Sequence, residues 1–104
     1  MSMQEHQDTI HEAREHLSAT TLDMHRGIAA LIAELQRLDQ NNQRHEACTD
    51  PELRLVLGHH RDAGKKQVAM LLEWLRRRDT QLGKEMKEAL FKAGPIAAPF
   101  HYDE

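Results

Sequence analysis

Residues 50–79, DPELRLVLGHHRDAGKKQVAMLLEWLRRRD, decide the fold. Asp50 has the side chain of an N-cap, Pro51 suits the first helical position and Glu52 puts an acid in the first turn. Leu53, Leu57, His60, Gly64, Gln67, Leu71 and Leu75 then recur three and four apart, the period of one helix face. The stripe is apolar at both ends and interrupted at His60, Gly64 and Gln67. Metal sites in helical bundles are built from Glu and His that project inward from such a seam. What stands at those three positions therefore bears on function.

Upstream, Ile10, Ala13, Leu17, Thr20, Met24, Ile28, Leu31, Leu35 and Leu38 keep the same period. They predict an amphipathic helix of about thirty residues beginning at Thr9. Written in heptads, Ile10, Leu17, Met24, Leu31 and Leu38 share one core position, and Ala13, Thr20, Gly27 and Glu34 share the other. Glu34 stands where an apolar residue is expected, and its carboxylate needs a partner because an unpaired buried charge is costly. Residues 39–49, DQNNQRHEACT, lack the stripe and read as a loop whose side-chain amides compete with helical hydrogen bonds. Two long helices on a short connection imply an antiparallel hairpin. A shorter third helix follows Asp79 or Thr80, with Leu82, Met86, Ala89 and Leu90 on one face, and Gly94 and Pro95 end it. The organisation expected is a flexible N-terminus over 1–8, one helical domain over 9–96 and a tail over 97–104. A single hairpin cannot close a core, whereas two packed face to face make a four-helix bundle.

Composition supports association. Of the 104 residues 39% are hydrophobic and 30% charged, a thin supply for an independent core of this size. A net charge of −3 gives no basic excess for nucleic acid, and no apolar run approaches a membrane span. The polar, acidic start MSMQEHQDTIHE has neither the apolar core of a signal peptide nor the basic character of a transit peptide. The single cysteine, Cys48, cannot form an internal disulfide and suits a reducing cytoplasm.

At DPEL, HHRD, LEWLRRRD and LFKAGPI the chain resembles the encapsulated ferritin family, over about His25 to Ile96. The resemblance implies an all-α subunit: an antiparallel two-helix hairpin plus a short C-terminal helix, forming a ferritin-like four-helix bundle on dimerisation. It further implies a di-iron ferroxidase centre at the dimer interface, an annular decamer assembled from the dimers and an encapsulin shell around it. Carried over position by position, the centre is poorly kept. Glu34 matches the first-helix ligand, but Gly64 and Gln67 stand at the Glu-x-x-His pair of the second helix. Gln40 and Asn41 follow Asp39 where the family has Trp and Tyr. Ala33, Gln36, Ala63 and Lys66 replace acidic iron-access positions, while His59 at that site remains. The tail, APFHYDE, lacks the aliphatic, Gly-Ser and basic pattern of shell-targeting peptides.

Carboxylate and imidazole suit iron, an amide is a weak neutral ligand and glycine offers none. Two readings follow. One is a ferroxidase-deficient assembly or interaction protein, in which a Glu34–Lys pair through Lys65 or Lys66, or a Gln67 hydrogen bond, replaces the metal. The other is a ferroxidase using Glu34 with His59, His60 or Gln67, iron then being bound. In the first, no cofactor is required. Both imply a cytoplasmic homodimer through the hairpin face, in an encapsulin compartment where a tagged paralogue carries it there. Gly64 is either the trace of a lost ligand or a point of close helix approach. Further metal-binding spacings are His11 with Glu15 and Glu12 with His16, at i, i+4, against a solvated helix face with stabilising pairs. Cys48 reads as an inert thiol, Trp74 as a core or interface anchor, and Arg76, Arg77 and Arg78 as a solvated helix end.

Overall fold

The computed structural model describes residues 10–97. The expected flexible segment 1–8 and all of the tail beyond Ala97 lie outside them. The order is a single 3-10 turn over Arg14–His16, then helix α1 (Ala19–Ala47), helix α2 (Pro51–Arg78) and helix α3 (Thr80–Ala89). No strand occurs among the described residues. The all-α hairpin with a short third helix is as read from the sequence.

The limits of α1 differ from expectation at both ends. It starts at Ala19, not at Thr9, because Ser18 is its N-cap: the hydroxyl accepts from the Thr21 amide at 3.1 Å. Ile10, Ala13 and Leu17 carry the period but precede that cap. At the other end, the segment read as a loop is helical to Ala47, leaving Cys48, Thr49 and Asp50 as the connection. The amides there are satisfied by side chains rather than by breaking the helix. Asn41 is buried, and its carbonyl oxygen accepts from Arg44 Nη1 at 3.1 Å. Arg61 of α2 reaches Asn42 Oδ1 and His45 Nδ1, each at 3.3 Å. Contacts with α2 thus override the local preference of these residues for turns.

The second helix follows its signals. Asp50 accepts from the Leu53 amide at 2.8 Å, with Pro51 in the first turn. Asp79 closes α2 and caps α3, accepting from the Leu82 amide at 2.9 Å. The third helix ends at Ala89, before the Gly94–Pro95 stop, and Leu90 is its C-cap rather than a face residue.

The helices are antiparallel: Gly27, early in α1, meets Trp74, late in α2, and His45 meets Gly58 near the connection. Each long helix spans roughly 40 Å at 1.5 Å per residue. The core between them is narrow. Leu75 is the one buried large apolar side chain among the described residues, and Ile28, Ile32, Leu35, Leu53, Val56, Met70 and Leu72 are exposed. A two-helix hairpin has two faces, and apolar residues are exposed on both. No described helix is long and apolar enough to cross a membrane.

Candidate functional site

On one face of the hairpin, the interruption in the stripe opens a cavity of about 270 Å³. From α1 come Glu34, Arg37 and Asn41, spaced three and four apart on one side of the helix. From α2 come His60, Ala63, Gly64 and Gln67, with Leu38 completing the lining. The seam positions Glu34, His60, Gly64 and Gln67 therefore converge in space. His59, expected at the iron-access position and not on the seam, does not line this cavity.

Glu34 already has a cation. Arg37 Nη2 donates to Glu34 Oε1 at 2.6 Å, at the i, i+3 spacing of one helix face. The Glu34 side chain is only 20% exposed and that of Arg37 54%. Neither expected lysine supplies the charge. Lys65 pairs with Asp62 at 2.9 Å and lines the opposite face, while Lys66 lines a separate groove with Met70 and Trp74. The expected hydrogen bond from Gln67 to Glu34 is also absent among the described residues; the two share the cavity without touching through polar atoms. Arg37 was the residue missed, although its spacing from Glu34 was visible in the sequence.

Gly64 faces space. A Cβ built there meets no atom within 4 Å, so close approach of α1 does not require this glycine. The donors around the cavity are one carboxylate held by a guanidinium, one imidazole and two amides. A di-iron centre needs several anionic oxygens and imidazoles, and this set does not fit one. Among the described residues of a single chain, no three His, Cys, Asp or Glu side chains are placed to hold a metal ion. The i, i+4 pairing proposed for His11 with Glu15 and Glu12 with His16 needs an α-helix, and only a 3-10 turn forms there.

The opposite face is organised by Arg61. Besides Asn42 and His45, it binds Asp62 at 3.0 Å. The Arg61 and Lys65 cations hold the Asp62 carboxyl down to about 2. The groove there, about 480 Å³, has Leu35 and Leu38 as its apolar part and Asp39, Asn42, Arg61 and Lys65 as its polar part. At the far end of α2 the arginines are paired rather than merely solvated. Glu73 accepts from Arg76 Nε and Nη2 at 2.7 and 2.6 Å and from Arg77 Nε at 2.7 Å, which hold its carboxyl down to about 2. The guanidinium of Arg78 lies 5.0 Å from the Trp74 ring centroid, a cation–π distance. Cys48 Sγ contacts the Asp50 carbonyl oxygen at 3.7 Å.

Comparison with known proteins gives a consistent picture. The EncFtn-like family model matches residues 9–93. An encapsulated ferritin-like protein of Rhodospirillum rubrum is 42% identical over 96 residues, spanning 92% of this chain and 69% of that relative. A ferritin-like protein of Thermotoga maritima is 33% identical over 89 residues, spanning 86% of this chain and 78% of that relative. Among solved structures, the protein ne0167 from Nitrosomonas europaea superposes with a TM-score of 0.82 at 48% identity, covering 88% of this chain and all of that one.

Proposed function

This chain belongs to the EncFtn-like family, and from that premise we propose that it is a ferroxidase-deficient member, a helical subunit that acts by assembly. Its di-iron site is degenerate. The observation that carries the reading is the Glu34–Arg37 ion pair at 2.6 Å, set across the cavity from Gly64 and Gln67. The one ligand retained from the family's pattern is held by a protein cation, and the Glu-x-x-His positions offer a glycine and an amide.

Assembly is supported by the exposed apolar residues. Ile28 and Leu35 of α1 and Val56 and Met70 of α2 are each about half exposed in the single chain. Burying such residues contributes on the order of 25 cal/mol per Å² of apolar surface. Leu35 borders the Arg61 groove, and Val56 and Met70 stand one heptad either side of Ala63 at the Glu34 cavity. Two such faces on one chain favour a closed ring over a simple pair, since each copy can bind two neighbours. The homodimer therefore forms through the Glu34 face, with rings built through the other. Placement inside an encapsulin compartment of the cytoplasm follows from the family alone and is part of the proposal.

A second reading has its own observation: His60 shares the cavity with Glu34. With Glu34 it would form a reduced iron site, with iron as substrate. Aerobic Fe(II) oxidation by metal-stripped protein, run beside buffer and Glu34→Ala, separates the two. The expected rate equals that of buffer. A faster rate that Glu34→Ala abolishes replaces the first reading with the second.

A further inference from the structure

We propose that Arg37 is the built-in counter-ion that lets two copies of this chain pack their Glu34 faces together without a metal ion. The inference rests on the reading of a seam that lacks a metal centre. On α2, Leu53, His60, Gln67 and Trp74 recur at seven-residue intervals, and Val56, Ala63 and Met70 form a second such row. The middle members of both rows line the Glu34 cavity. Of the outer ones, Trp74 packs on Gly27 of the same chain, whereas Leu53 is 49%, Val56 59% and Met70 51% exposed. Apolar rows at this spacing are what a facing helix covers.

The charges suit a second copy as the occupant. The cavity carries one carboxylate and one guanidinium, so the face is neutral as a unit and suits an identical surface across a twofold axis. Two bare Glu34 carboxylates brought together there would repel and lose hydration. With Arg37 bound at 2.6 Å, each arrives already neutralised. The open space beside Gly64, where a Cβ meets nothing within 4 Å, leaves room for a side chain from the second copy. Arg37 is thus a positioning residue for assembly.

Sedimentation velocity on the full chain after EDTA treatment tests this, with Arg37→Gln, Arg37→Lys and the double variant E34Q/R37Q. The wild type is expected to associate equally with EDTA and with added Co(II). Arg37→Gln is expected to weaken association by about tenfold or more, the scale at which one bare charge at an interface registers. E34Q/R37Q, which removes that bare charge, recovers most of the loss, and Arg37→Lys keeps most of the affinity. Loss of wild-type association in EDTA, or equal association of Arg37→Gln and wild type, would overturn the proposal. So would a double variant as weak as Arg37→Gln. If Arg37→Gln loses its helical circular dichroism, the double variant against wild type decides: near-equal association supports the role and collapse refutes it. Iron oxidation is read separately. A Glu34-dependent oxidase that still assembles in EDTA would sink the functional reading and leave Arg37 its role, and an inactive protein that falls apart in EDTA would do the reverse.

Discussion

The indole of Trp74 stands against Gly27 so closely that a Cβ on Gly27 would lie 2.5 Å from Cζ3 and 2.9 Å from Cε3. Gly27 is buried on α1, and its missing side chain is what brings α1 and α2 together at that level. Gly27→Ala should therefore destabilise the hairpin although alanine is the better helix former. The helix gains up to about 1 kcal/mol from alanine, while overpacking a closed contact costs about 1–3 kcal/mol. Gly64→Ala, where the added methyl meets open space, is the control and should leave stability unchanged or slightly raised. Urea unfolding followed by Trp74 fluorescence reads both; equal midpoints for the two variants would count against the close contact.

That contact also shows what was legible in the sequence and what was not. Gly27 fell on a core heptad position, but nothing local says which residue of the other helix fills its place. The cap of α2 was readable because Asp50 acts on an amide three residues away, whereas for α3 only the break near Asp79 was legible and not the capping role of Asp79. The end of α1 was not, because Asn41, Asn42 and His45 owe their helical state to Arg44 beside them and Arg61 across the hairpin. Its start was misplaced for the opposite reason: Ile10, Ala13 and Leu17 share the period of the helix, and Ser18 ends its run toward the N-terminus. At the candidate site, Glu34, Gly64 and Gln67 were found from the stripe. The identity of the Glu34 partner was not legible, because a seam carboxylate can be met from the facing helix or from its own, and here Arg37, three residues along the same helix, meets it.

The Glu73 cluster predicts an acid-sensitive end of α2. Arg76 and Arg77 hold the Glu73 carboxyl from its ordinary 4.5 down to about 2. Between those values the folded chain binds fewer protons than the unfolded one, so stability rises with pH there. The contribution is whole above about 4.5 and is lost as pH falls through about 2. Asp62, held from 3.8 to about 2 by Arg61 and Lys65, acts in the same direction. Both pairs face solvent, so the effect is modest and about 1 M salt should reduce it. Melting temperature from pH 5.5 to 2.5 should fall less steeply in Glu73→Gln than in the wild type. Parallel curves would mean that the arginine fork contributes nothing to folding.

If Arg37, Gly64 and Gln67 are what keep a metal ion from the Glu34 cavity, changing them should raise its metal affinity. Residues 64 and 67 are three apart on α2 and line the same cavity as Glu34. G64E/Q67H would put a carboxylate and an imidazole on one helix face, the pairing used by di-iron bundles. The open space at Gly64 admits the longer side chain. Those two changes alone leave Glu34 bound to Arg37, so its oxygens remain engaged by a competing cation. Adding Arg37→Ala frees them, at the cost of a bare carboxylate until metal arrives, which couples metal binding to assembly. Co(II) titration followed by calorimetry and by visible absorption should show G64E/Q67H binding more tightly than wild type, and R37A/G64E/Q67H tighter again, each step by at least about tenfold, or about 1.4 kcal/mol. Sedimentation of R37A/G64E/Q67H should then depend on Co(II) where that of the wild type does not. If R37A/G64E/Q67H folds and binds Co(II) no better than wild type, Arg37, Gly64 and Gln67 are not what limits metal binding at the Glu34 cavity. Acidic residues at Ala33, Gln36, Ala63 and Lys66 would then be the next to test.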